Sequence, residues 1–279
     1  MKKFTSLLLI SVLLTLTLSP LTSAQTGETE LTELRTLNSK TYDLGNGERK
    51  GIFYEDPIHY LENDQYKEID INLEKSTNQE YPYQVEKGIY KAYFPKTYNN
   101  YSVLTYDEGK VFISNNQLEL IKADTATPLY TATETEIEAN KNSAIYKKAF
   151  AENIDAELNY DNKRFIRKVI FNSKENLELE NDYDYLGYSF EVKVPEDTEI
   201  YIAGQKWIDE EVTTDEDIEF KAKDETLFYF SSPYSIDNDQ NRQKLSFEVE
   251  KTYYNTYKIT SCIRDVSLCY SCLFAICYD

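Results

Sequence analysis

The chain has 279 residues, 49 Asp and Glu against 30 Lys and Arg, and a formal net charge of −19. A surface so acidic repels phosphate backbones, and no stretch supplies the basic patch that nucleic-acid binding needs. From charge alone, nucleic acid is therefore excluded as a partner. Twenty-five tyrosines and thirteen phenylalanines stand beside one Trp, one Met and one His. That composition favours strands over helices.

Residues 1–24 predict a signal peptide. Lys2 and Lys3 give a positive start, Leu7 to Leu18 is an apolar run interrupted only by small hydroxyl residues, and Thr22-Ser23-Ala24 offers a cleavage site before Gln25. The apolar run is short for a bilayer span. The expectation is export, to a secreted or cell-surface location, with no transmembrane segment in the mature chain. Removing the leader also removes Lys2 and Lys3 and makes the chain more acidic still.

Residues 25–38 form a polar segment, and 39–260 read as β structure. In "YSFEVKV" Phe190, Val192 and Val194 alternate with Glu191 and Lys193, and in "LSFEVE" Leu245, Phe247 and Val249 alternate with Ser246, Glu248 and Glu250. Ile218, Phe220 and Ala222 repeat the pattern. A period of two marks half-buried antiparallel strands. Turns fall between the strands, at Asp107 to Lys110 and at Asp161 to Lys163. Only Leu31 to Leu37 and Lys141 to Phe150 leave room for short helices, and neither sustains a helical period. The predicted fold is all-β, an antiparallel sandwich, either one large unit or two packed in series.

Few residues suggest chemistry. His59 stands in "DPIHYLENDQYKEIDINLE", with no nucleophile elbow, no HExxH and no second His. It reads as a strand residue in a hairpin that turns at Glu62 to Gln65. Asp237, Asp239, Asn241 and Glu248 take positions 1, 3, 5 and 12 of an EF-hand-like loop, but Arg242 stands where the loop needs Gly and the flanks are strands. That stretch is expected to be a β-hairpin loop. Tyr81, Tyr83, Tyr90, Tyr93, Tyr98, Tyr101 and Tyr106 crowd one region and, with Trp207, offer a platform for sugars. Tyrosine in strands more commonly buries its ring and keeps its hydroxyl wet. No catalytic, cofactor-binding or metal-binding residue is expected.

All four cysteines lie near the end: Cys262, Cys269, Cys272 and Cys277. Their spacing matches no zinc finger, and two disulfides would allow three connectivities. Residues 261–279 lack Glu, Gly and Pro, unlike the acidic body before them. This Cys-rich tail is expected to be out of frame with the rest of the gene and to pack poorly on the body.

"SKTYDLGNGERKGIFYEDPIHYLENDQYKEID" (39–70) resembles the start of an N-terminal region of large exported bacterial and archaeal surface proteins, those with DNRLRE domains and wall-associated proteins with RHS-type repeats. Ser39 to Thr41, Gly45 to Gly47, Pro57 to Tyr60, Tyr66 and Ile69-Asp70 carry the resemblance. "KWIDEEVTTDEDIEF" and "LFYFSSPYSIDNDQNRQKLSFEVE" extend it toward residue 250. The resemblance implies a non-catalytic β module of a larger surface protein, with a surface protein or polysaccharide as partner. A glycan-binding module is the alternative, and an extracellular glycoside hydrolase a third reading.

Overall fold

The computed structural model describes residues 27–279 apart from 108, 124, 174–182, 224, 238, 264–270 and 278–279. The predicted leader, residues 1–24, lies outside the described residues.

The two-residue alternation builds what it predicts. Tyr185–Lys193 buries Leu186, Tyr188, Phe190 and Val192, Ile218–Ala222 buries Ile218, Phe220 and Ala222, and Ser246–Tyr253 buries Phe247 and Val249. The strand pairings are antiparallel, and two large sheets result. One runs in the order Val212–Thr214, Ser246–Tyr253, Thr256–Ile263, Tyr185–Lys193, Gly109–Lys122, Ser102–Tyr106, Lys91–Phe94, Tyr83–Val85 and Glu74–Lys75, with Thr125–Thr131 also paired to Gly109–Lys122. The other runs Ile137–Asn140, Ser143–Ala151, Ile154–Tyr160, Arg164–Phe171, Ser271–Cys277, Glu225–Phe230, Ile218–Ala222, Glu199–Ile202 and Gln205–Lys206.

Aromatic rings lock the inner faces together. Phe94 meets Phe165 with ring centroids 5.6 Å apart, Tyr106 meets Phe228 at 5.9 Å, and Phe190 meets Phe230 at 5.6 Å. One apolar cluster takes residues from both sheets, so the body is a single large sandwich with one core. This is where the tyrosines went: Tyr90, Tyr98, Tyr106, Tyr146, Tyr160 and Tyr188 are buried. The Tyr160 and Tyr146 hydroxyls donate to the backbone carbonyls of Tyr90 and Pro95, each at 2.8 Å.

A smaller unit precedes the sandwich. Thr29–Glu30, Ser39–Asp43 and Arg49–Phe53 form a three-stranded sheet, and His59–Glu62 pairs with Gln65–Glu68 in a hairpin. The hairpin turns on Asn63 and Asp64, both at positive φ (50° and 59°), which two-residue hairpin loops require and Asn and Asp tolerate. Asn162 Nδ2 donates to the Pro57 carbonyl at 2.8 Å and ties the unit to the sandwich.

Two helix expectations resolve differently. Within Leu31 to Leu37 only Thr32–Leu34 forms a 3-10 turn. Lys141 to Phe150 is not a helix, because Ser143–Ala151 is a strand whose register shifts between Tyr146 and Ala151, with Lys148 at φ 56°. The irregularity breaks the alternation, placing Ala144, Tyr146, Ala149 and Phe150 on buried positions. Part of the expected tail has backbone in the sheets: Thr256–Ile263 pairs with Tyr185–Lys193, and Ser271–Cys277 lies between Arg164–Phe171 and Glu225–Phe230. No helix among the described residues is long and apolar enough to cross a membrane.

Candidate functional site

His59 is fully buried at the edge of the small unit. The short strand Thr29–Glu30 and the hairpin bring Glu30 and Glu68 to it, so that one ligand atom from each of the three residues lies within 4.8 Å of the others. It is the one such group of three or more His, Cys, Asp or Glu side chains among the described residues. His59 Nδ1 lies 2.7 Å from the Thr36 carbonyl, which accepts only from a protonated nitrogen. That contact calls for a proton on Nδ1, and Nε2 is buried and without a hydrogen-bond partner.

Two cations share the cluster. Arg35 Nε donates to Glu30 Oε1 at 2.7 Å and its Nη2 lies 3.5 Å from Glu68 Oε1, while Lys40 Nζ donates to the same Glu68 oxygen. The hydrogen bond from Arg35 holds the Glu30 carboxyl below the usual range, and that from Lys40 does the same for Glu68. The bonds raise Arg35 and Lys40 in turn. Sequence reasoning missed this site because its members stand 29 and 9 positions apart and only the strand pairing joins them.

A second feature is a groove of about 520 Å³ on the outer face of the ten-stranded sheet, lined by Glu119, Glu211, Glu248, Glu250, Lys258 and Thr260 among others. Lys258 Nζ pairs with Glu119 Oε1 at 2.9 Å, and the buried Glu119 Oε2 has no partner. Cys262 is a buried free thiol beside it, pushed well up by desolvation and by Glu248. The side chains of the other three cysteines lie outside the described residues.

The remaining sequence candidates take structural places. Asp237 caps its own hairpin turn, accepting from the Asp239 amide at 2.9 Å and the Asn241 amide at 2.8 Å. Glu248 stands on the strand Ser246–Tyr253 and faces the groove instead. The EF-hand-like spacing is thus a turn followed by a strand. Tyr81 and Tyr93 pack edge to face at 6.2 Å beside Phe112 in a hollow of about 280 Å³, and Trp207 donates to the Glu210 carbonyl at 2.6 Å while packing on Tyr257.

No family model matches the chain. Among solved structures, a GH31 sulfoquinovosidase from E. rectale aligns with a TM-score of 0.35 and 9% identity over 65% of this chain and 31% of its own, a likeness too loose to carry an argument. Relatives in sequence are more informative. The tRNA3(Ser)-specific nuclease WapA of Bacillus spizizenii is 28% identical over 236 residues, and the tRNA(Glu)-specific nuclease WapA of Bacillus subtilis subsp. natto and the tRNA nuclease WapA of Bacillus subtilis strain 168 are each 27% identical over the same length. The match takes in 83% of this chain and 9% of each relative. These relatives overturn the expectations of a non-catalytic surface module, of a protein that is not an enzyme, and of one with no nucleic-acid partner. Charge misleads here for a physical reason. Net charge describes the surface of one chain, and here that chain corresponds to less than a tenth of proteins whose other parts it cannot report on. Catalytic motifs are local in the same way.

Proposed function

We propose that the protein works as a tRNA-directed nuclease of the kind its Bacillus relatives are named for, exported through its N-terminal leader, with this chain forming a β-rich region of it. The observation that carries this reading is the 28% identity sustained over 236 residues, 83% of the chain. The positive start and apolar run of residues 1–24, and the resemblance of residues 39–70 to the start of exported surface proteins, support the export half of the proposal.

Chemistry sets a condition on it. Cleaving a phosphodiester calls for a positioned base and a cation or donor to hold the developing charge. Gripping tRNA calls for clustered Lys and Arg, since phosphate contacts supply most of the affinity. The acidic balance of this chain makes it a poor tRNA-gripping surface, so the reading places phosphate contacts at basic residues elsewhere in the protein. At Glu30, His59 and Glu68 the two carboxylates are engaged by Arg35 and Lys40, and no cleaving role is assigned there.

The test uses the protein expressed from its whole contiguous coding sequence. It is incubated with total RNA in Mg²⁺, and individual tRNAs are followed by hybridisation. Fragmentation confined to one or a few tRNAs is expected. An intact tRNA pool, or equal breakdown of ribosomal RNA, overturns the proposal.

A further inference from the structure

The small unit raises a question of stability. The apolar core begins at Val85, and no hydrophobic residue between 27 and 68 is buried. Two small sheets without a core are marginal by themselves. What joins them is polar: the Arg35 and Lys40 pairs, the Ile58 and His59 amides that donate to the Leu37 carbonyl, and the buried His59. Small units of this kind are commonly completed by a metal ion or a disulfide.

We infer that Glu30, His59 and Glu68 form a binding site for a divalent transition metal that clamps the strand Thr29–Glu30 to the hairpin His59–Glu68. Three observations carry it. The ligand atoms already lie within 4.8 Å of one another, close enough to share one ion after small side-chain shifts. His59 is held as a metal-ligating histidine is held, with Nδ1–H donated to the Thr36 carbonyl and Nε2 left as the nitrogen that a metal can take. That Nε2 is fully buried and without a partner, although Arg35 and Lys40 stand on the neighbouring carboxylates. Both cations are pure donors, and neither satisfies it.

One imidazole and two carboxylates suit zinc, cobalt or nickel better than calcium. Glu68 is more than half exposed, so the ion keeps a position open to water. Arg35 and Lys40 then act as stand-ins that neutralise the carboxylates in the absence of metal. A dication displaces the Lys40 ammonium, whose long stem carries it to solvent, and adds the imidazole bond that Lys40 does not make. The site therefore binds against an internal competitor, and its affinity is set partly by Lys40.

The experiment titrates the full chain with Co²⁺, read by absorption, and with Zn²⁺, read by calorimetry. Cobalt distinguishes nitrogen and oxygen ligands from thiolates, which matters because the tail carries cysteines. The expected result is one ion per chain with no thiolate charge-transfer band. Affinity should fall about tenfold or more in Glu68→Gln, whose exposed position spares the fold, and in His59→Gln. It should rise in Lys40→Met. Absence of binding by both the wild type and Lys40→Met at millimolar metal overturns the inference. Binding indifferent to Glu68→Gln, or a spectrum of thiolate ligation alone, overturns it equally.

Discussion

Arg167 donates a hydrogen bond to the side-chain carbonyl of Asn116 between the two large sheets, and both residues are shielded from water. Arg167 Nη2 also donates to the Tyr188 hydroxyl at 3.0 Å, and the guanidinium lies 5.2 Å from the Phe190 ring centroid. Arg167 Nε and Nη1 are without hydrogen-bond partners, and no carboxylate among the described residues forms an ion pair with the group. A charge is thus held in the core by neutral dipoles and an aromatic face.

Its replacement distinguishes two accounts of that charge. If the network is a net cost, Arg167→Met should shift stability by no more than about 1–2 kcal/mol, since Asn116 Oδ1 still accepts from the Tyr188 hydroxyl at 2.9 Å. Arg167→Lys keeps the charge and loses the planar fork and the ring contact, and should cost about 3–5 kcal/mol. Urea denaturation of both variants measures this. A Met variant weaker than the Lys variant would show that the positive charge itself stabilises the core.

Gly88 is fixed by a contact rather than by a turn. A Cβ there would stand 1.9 Å from the Tyr160 hydroxyl and 3.2 Å from the Tyr90 carbonyl, the two partners of a buried hydrogen bond. Gly88→Ala should therefore push Tyr160 aside and cost about 1–3 kcal/mol. Gly204→Ala, with nothing within 4 Å but a φ of +74°, separates this steric effect from backbone strain. The hypothesis fails if Gly88→Ala combined with Tyr160→Phe is no more stable than Gly88→Ala alone.

Asp155 responds to acid. Its carboxylate accepts from Lys147 Nζ at 2.9 Å and from the Lys148 amide at 2.8 Å, at the irregular turn of the strand Ser143–Ala151. Desolvation raises its pKa, but the bonds from Lys147, Lys148 and Asn172 outweigh that and hold it below the ordinary aspartate value. A depressed folded-state pKa adds stability above the unfolded-state value and loses it as pH falls through the folded-state one. Asp155→Asn should be less stable than wild type near about pH 6, and the gap should close toward about pH 3. A gap that stays constant over that range would mean that the charge of Asp155 contributes nothing.

These cases also show what the sequence made legible. The alternations in Tyr185–Lys193 and Ser246–Tyr253, and the turns at Asp107 and Asp161, carry local signals that tertiary structure leaves intact. In "RFIRKVIF" the same alternation puts Phe165, Val169 and Phe171 inward, but it also carries Arg167 into the core, and no local pattern says that a charge is to be buried there. The irregular register near Lys148 hid a strand in the same way. The cluster at Glu30, His59 and Glu68 and the groove at Glu119, Glu248 and Glu250 exist only once strands are in register, and a sequence does not print register. The nuclease relatives were illegible for another reason, since charge and motif describe a region and not the far longer proteins to which it is similar.

Export has a direct test. The leader should be removed after Ala24, leaving Gln25 at the N-terminus of protein recovered outside the cytoplasm, as mass spectrometry of the intact chain reads. Recovery there of a species that retains Met1 would defeat it.

The last expectation concerns the order in which the protein opens. Residues 27–68 contribute none of the apolar core, and Phe53 and Leu61 are 80% and 60% exposed. The strand Gly109–Lys122, by contrast, pairs with three neighbours and buries Val111, Ile113, Leu118 and Ile121. Free energies of local opening follow buried apolar contact, so the small unit should be the first to open and the central strand the last. The ion pairs made by the exposed Glu68 offer little resistance, because such pairs are worth about 1 kcal/mol or less each and weaken with salt. Hydrogen exchange read by mass spectrometry should show the amides of Ser39–Asp43 and His59–Glu62 exchanging well before those of Gly109–Lys122. Raising the salt should widen the difference, because the small unit depends on charge and the central strand on apolar burial. If the two regions exchange together, the small unit unfolds only with the whole protein, and the hydrogen bond from Asn162 to Pro57 couples it to the sandwich more tightly than its missing core implies.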